Sequence, residues 1–130
     1  MVRFAHDVAM EQHPSKILSV VFYRTQSGKE PVRDWMLKLE KHDRYVLGVD
    51  LKTVEYGWPL GMPLVRSVKN YERLWEVRSE ISGNRITRVL FTVYDRKMVL
   101  LHAFIKKTQK TPKPDLELAV DRKRSLARGN

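Results

Sequence analysis

The sequence predicts an α+β domain: an N-terminal strand, a helical hairpin, an antiparallel meander sheet and a C-terminal helix. Three observations carry that reading. Apolar residues recur at helical spacing between Pro31 and Tyr56, the period changes to two from Leu64 to Lys106, and a second helical stretch opens near Asp115. With 130 residues the chain has the length of one domain, enough to bury a sizeable core.

Residues 1–16 show no sustained periodicity and are expected to form a poorly ordered extension, leaving 17–130 as one domain. Ile17 to Tyr23 is β-branched and aromatic and reads as a buried strand, followed by a turn at Ser27-Gly28-Lys29. Pro31 suits the first position of a helix carrying Val32, Trp35, Met36 and Leu39. A second helix from about His42 to Tyr56 places Val46, Val49 and Val54 beside Leu47 and Leu51, and Gly57 is expected to end it in a left-handed cap. Trp58 to Pro63 is a rigid apolar connector. Leu64–Val68 is a short strand, Arg73–Glu80 a longer one, and Ile86–Tyr94 and Met98–Lys106 complete the meander. Ser82-Gly83-Asn84 and Asp95-Arg96-Lys97 are the hairpin turns between them. Thr111-Pro112-Lys113-Pro114 closes the sheet, and Asp115 is expected to cap a basic helix through Leu116, Leu118, Ala119 and Leu126.

Several chemistries are excluded early. Cysteine is absent, which removes disulfides, thiolate metal sites and cysteine nucleophiles. His6, His13, His42 and His102 form no metal-binding pair, and the glycines are too scattered for a phosphate-cradling loop. No metal and no cofactor is therefore expected. No apolar run approaches a membrane span and no leader pattern opens the chain, so a soluble cytoplasmic protein is expected.

What stands out is charge. Lys and Arg number 25 against 15 Asp and Glu, a net charge of +10. Half of that excess falls in residues 106–130, so the end of the chain is where an anion, most often a nucleic acid, would bind. The competing reading is a solvated basic surface.

Alternation along the strands assigns faces. Trp75 and Val77 point one way with Val89, Phe91, Val93, Leu101, Ala103 and Ile105, and the helical hairpin should cover them. The opposite set brings Arg78, Arg88, His102 and Lys106 onto one side, with Lys107 and Lys110 just past the strand end. Glu76 is the nearby neutraliser, and a cross-strand ion pair on a solvated face is the alternative use of these arginines. Trp35, Trp58 and Trp75 read as packing residues.

Three segments carry a family resemblance: Leu74-Trp75-Glu76-Val77-Arg78, Arg88-Val89-Leu90-Phe91, and Leu100-Leu101-His102-Ala103-Phe104-Ile105-Lys106-Lys107-Thr108-Gln109-Lys110-Thr111-Pro112. They resemble the phage-derived HigB-like branch of the RelE toxin superfamily over residues 17 to about 124. The resemblance implies a helical hairpin against an antiparallel sheet, and a toxin of a type II toxin–antitoxin pair. It further implies a metal-independent endoribonuclease that cleaves messenger RNA on the ribosome. A helix-turn-helix, HigA-like antitoxin would neutralise it, and operator DNA would be met only through the complex of the two.

The chemistry of such a reaction fits basic residues. RNA carries its own nucleophile in the 2′-hydroxyl, so the protein need only align it, move protons and stabilise charge on phosphorus. By position in the resemblance, Arg88 and Lys106 are expected to clamp the scissile phosphate, with Arg78, Lys107 and Lys110 on flanking backbone. No tyrosine follows Tyr94, a departure from members with an acid/base pair near the C-terminus. The proton carrier is then His102, a lysine of lowered pKa, or the ribosome itself. A non-catalytic RNA- or ribosome-binding module and an antitoxin-bound interaction protein are the competing functions.

Overall fold

The computed structural model describes residues 15–127. The extension expected over 1–16 therefore falls almost wholly outside the described residues. Eight elements follow in order: β1 (Ser19–Phe22), α1 (Pro31–Leu37), α2 (Lys41–Gly57), β2 (Val65–Ser67), β3 (Trp75–Ile81), β4 (Arg85–Tyr94), β5 (Lys97–Ile105) and α3 (Lys113–Ala127). The sheet order is β1-β5-β4-β3-β2. Strands β2 to β5 form the expected antiparallel meander, while β1 joins its far edge parallel to β5, so the sheet is mixed.

The strand expected over Ile17–Tyr23 is shorter because its first residues serve another element. The amides of Ile17 and Leu18 donate to the carbonyl of Glu55 at 2.8 and 3.0 Å, and the Glu55 carboxylate accepts from the Val20 amide at 2.7 Å. The chain entry is thereby tied to the last turn of α2 rather than to the ladder.

Two cores lie on opposite faces of the sheet. On one face Val77, Val89, Phe91, Met98 and Leu100 meet Val32 of α1 and Leu47, Leu51 and Val54 of α2. Trp58 and Trp75 extend it, with ring centroids 4.9 Å apart, and Trp75 stacks on Phe91. On the other face Leu74, Leu90, Val99 and Leu101 lie against Ala119 of α3, flanked by Leu116, Val120 and Leu126. Polar contacts fasten α3 further: Arg122 donates to the Leu101 carbonyl at 2.6 Å and lies over the Tyr23 ring.

Tertiary packing overrides local expectation at several positions. Leu101 falls on the α3 face because the β4–β5 register shifts between Leu90 and Phe91, which pair with His102 and Leu100. Leu101 is the extra residue and turns away from Ala103. Val49 and Leu118 are exposed, not part of an apolar stripe. Gly57 does not adopt a left-handed conformation; α2 ends as the chain turns extended at Trp58, and a Cβ on Gly57 would sit 3.3 Å from Leu60. Asp115 lies inside the first turn of α3, and its carboxylate meets His102 instead of capping the helix.

Two local predictions arise here. Asp95 and Arg96 form the two-residue β4–β5 turn, and both have positive φ, 53° and 59°. That mirror-type turn favours Asn-Gly. Asp95→Asn with Arg96→Gly should add roughly 1 kcal/mol and raise the melting temperature by about 2–4 °C, read by calorimetry.

The second concerns Asp43, in the first turn of α2. It accepts from the Ser82 amide at 2.9 Å, from the Ser82 hydroxyl at 3.0 Å and from Arg85 at 2.9 Å, locking the β3–β4 hairpin to the helix. The Ser82 amide bond is the main cause that holds its carboxyl below the ordinary value of 3.8. A depressed carboxyl stabilises fully above its unfolded pKa, and the contribution fades as pH falls through the folded one. Asp43→Asn should therefore lower stability near neutrality and lose less between about pH 5 and about pH 2 than the parent does. Equal acid losses in the two proteins would remove Asp43 from this account.

Candidate nucleic-acid interface

The α3 helix covers only part of its sheet face. Beyond its start, towards the β3–β4 hairpin, the face is occupied by charge. Strand pairing puts Arg66 opposite Glu76 and Arg78 opposite Arg88, and the amide of Lys106 extends the β4 ladder by donating to the Ile86 carbonyl at 2.7 Å. Four neighbouring chain segments thus deliver Arg66, Arg78, Arg88 and Lys106 to one area.

Glu76 sits at its centre and is completely buried. Its Oε1 lies 2.8 Å from an Arg66 terminal nitrogen and 3.7 Å from Arg88 Nε. Its Oε2 accepts from the Thr111 hydroxyl at 2.7 Å. The Thr111 oxygen in turn accepts from Arg88 at 2.8 Å, and the other Arg88 terminal nitrogen donates to the Gln109 carbonyl at 2.7 Å. Arg66 and Arg88 share this carboxylate, and with Arg78 and Lys106 beside them four cations meet one anion, a net charge of +3. The Nε groups of Arg66, Arg78 and Arg88 are buried without a hydrogen-bond partner among the described residues.

The consequence shows at Lys106. Loss of solvent lowers its pKa from the ordinary 10.5, and repulsion from Arg78, Arg88 and Arg66 lowers it further against the pull of Glu76. Burial likewise lowers the Arg88 pKa, with Glu76 opposing, but a guanidinium stays charged.

Two grooves flank the segment that follows β5. One, of about 380 Å³, is bordered by Arg85, Lys106, Lys107 and Gln109; the other, of about 370 Å³, by Arg66, Lys69, Lys110 and Thr111. Lys107 and Lys110 are exposed between them. Both grooves are bordered by basic side chains, the lining an anionic chain requires.

The structure brings most of the expected residues together, but not in equal roles. Arg78 and Lys106 are half-buried at the cluster, with Lys107 and Lys110 beside it. Arg88, expected to grip phosphate directly, is 3 % exposed, and its guanidinium is turned inward onto Glu76, Thr111 and Gln109. The solvated ion pair expected for Glu76 is instead a buried one. His102 lies two pairs further along the ladder from Arg88, with Nε2 2.6 Å from the Asp115 Oδ1 and its ring stacked on Phe104. It joins β5 to α3 at the margin of the cluster.

No sequence pattern singles out Arg66, Thr111 or Lys69 as site residues. Alternation in Leu64–Val68 does set Arg66 opposite to Val65, but its pairing with Glu76 depends on a register that the intervening loop conceals. Thr111 reads in sequence only as part of a closing loop.

A comparison with curated proteins finds no match. Residues 34–124, well over half of the chain, match the family described as phage-derived protein Gp49-like (DUF891). That span holds the shared carboxylate and every cation around it, and the chain belongs to this Gp49-like family, a family of the RelE/toxin type.

Proposed function

We propose that this protein is the HigB-like toxin of a type II toxin–antitoxin pair, an endoribonuclease that cuts messenger RNA in the ribosome and arrests translation. The observation that carries the reading is the uncompensated cluster: Arg78 and Lys106 stand on an open sheet face, over a carboxylate already shared by Arg66 and Arg88. Such a face attracts a phosphodiester and favours the extra negative charge that develops on phosphorus during cleavage.

In the proposed reaction the 2′-oxygen bonds to phosphorus as the bond to the 5′-oxygen breaks. The products are a 2′,3′-cyclic phosphate and a 5′-hydroxyl. One proton leaves the 2′-hydroxyl and one reaches the departing oxygen. Lys106, with a neutral amine more accessible than in an ordinary lysine, suits the first transfer. Arg78 holds a non-bridging oxygen, Lys107 and Lys110 hold flanking phosphates, and Arg88 and His102 support the site from within. A helix-turn-helix antitoxin is the proposed partner, with operator DNA engaged only through it, and the cytoplasm is the proposed compartment. Among the described residues no helix is long and apolar enough to cross a membrane.

One observation favours a second reading. Arg88, expected to clamp the phosphate, and His102, a candidate proton carrier, are engaged by protein groups, as they would be in a module that binds RNA or the ribosome without cutting. Inducing the protein in cells and mapping message ends separates the two. New 5′-hydroxyl ends inside translated regions, absent when translation is blocked, support the nuclease. Arrest with intact messages supports the binder, and capture of one helix-turn-helix protein without arrest supports an interaction protein.

A further inference from the structure

We propose that Thr111 is a positioning residue: its hydroxyl, held between Glu76 and Arg88, latches the Lys106–Thr111 loop to the sheet and fixes where the loop's lysines meet an RNA backbone. The proposal rests on the reading of this face as an RNA site.

The loop joins β5 to α3 and is anchored at both ends. Lys106 continues the β4 ladder, and the Pro112 carbonyl accepts from the Asp115 and Leu116 amides as α3 begins. Between these anchors residues 107–110 are exposed and belong to no strand or helix. Arg78, Arg88 and Arg66 beneath the loop repel Lys106, and Lys107 and Lys110 add two exposed like charges to the same short stretch. Left alone, such a loop spreads its charges apart, and RNA would have to order it again on binding.

Thr111 opposes that tendency. Its hydroxyl donates to Glu76 Oε2 and accepts from Arg88, and only a group that is both donor and acceptor can do this. Arg88 extends the same hold to the Gln109 carbonyl, and Thr108 donates to the Lys110 carbonyl at 2.6 Å. Charge buried at Arg88 is thereby used to hold exposed charge in register. Thr111 touches no RNA in this scheme. It acts through the three lysines.

The test compares Thr111→Val, which keeps shape and loses the hydroxyl, with Thr111→Ser, which keeps the hydroxyl. Backbone order parameters of Lys107 to Lys110, from amide nitrogen relaxation, are read against those of β4, alongside affinity for a single-stranded RNA oligonucleotide. Thr111→Val should drop the loop values below about 0.6, leave β4 near about 0.85 and weaken RNA binding roughly tenfold. Thr111→Ser should restore both. Folded Thr111→Val with wild-type order parameters and affinity overturns the latch, and so does a Thr111→Ser protein that behaves like the valine variant. Should Thr111→Val fail to fold, the wild type still decides. A held Arg88 gives separate terminal-nitrogen resonances by NMR, and one averaged signal overturns the proposal. Wild-type protein that leaves messages uncut yet shows these differences sinks the nuclease reading and keeps the latch. Cutting by both wild type and Thr111→Val, with equal loop order parameters, does the reverse.

Discussion

Lys106→Ala is expected to abolish growth arrest and to slow cleavage of a translated message by about 10²–10³-fold, with little change in melting temperature. The size follows from two functions lost together. Neutral Lys106, favoured by its lowered pKa, takes the 2′-proton, and the ammonium it becomes stands beside Arg78 as charge develops on phosphorus. The stability should hold because the side chain makes no hydrogen bond among the described residues and leaves no buried partner behind.

The sign of the pH dependence adds a second readout. A lysine acting as base must be neutral, so the wild-type rate should climb with pH and level off below the ordinary 10.5, where the lowered pKa lies. Lys106→Arg keeps the charge but stays protonated throughout. It should retain RNA binding and lose the rising limb. Cleavage by Lys106→Ala within a few-fold of wild type would leave Arg78 and the ribosome to do the chemistry.

How far this site can be read from the sequence follows from what alternation encodes. Period two gives the side of the sheet on which a residue falls, and it sets Arg78, Arg88 and Glu76 correctly on one face, opposite Val77 and Val89. It does not give depth. Whether a polar face is wet depends on what the chain later lays across it, and the Gln109–Thr111 segment closes over Arg88 only in three dimensions. Register is hidden for a related reason. The β4–β5 hairpin turns on Asp95 and Arg96 alone, so Lys97 leaves the expected turn and opens β5 opposite Tyr94, and the shift at Leu90/Phe91 turns Leu101 to the opposite face, with no glycine to announce it. The six residues between Val68 and Trp75 leave the partner of Arg66 undefined. The basic C-terminal segment was legible as charge. Its division into an anchored helix and a presented loop was not.

Glu76→Ala should be among the most destabilising single substitutions in the chain, at about 3–5 kcal/mol, because it leaves Arg88 charged and buried with its ion partner gone. Arg66, whose side chain is 38 % exposed, can swing its head group into water and loses little. Arg88 cannot, so the penalty concentrates there, increased by Arg78 acting on it without compensation. Urea unfolding reads this as a lower midpoint at an unchanged slope. The pair behaves differently when removed together. Glu76→Leu with Arg88→Met fills similar volume without burying charge, so it should recover most of the loss, giving a large coupling energy in a double-mutant cycle. That double variant also lacks both groups that hold Thr111 and Gln109, so it should fold well and bind RNA poorly. Stability and activity then separate: the ion pair is dispensable for folding once both charges are gone, but the placement of Lys106, Lys107 and Lys110 still depends on it. A cost below about 1 kcal/mol for Glu76→Ala would mean that water reaches Arg88 and that the loop is held by something else.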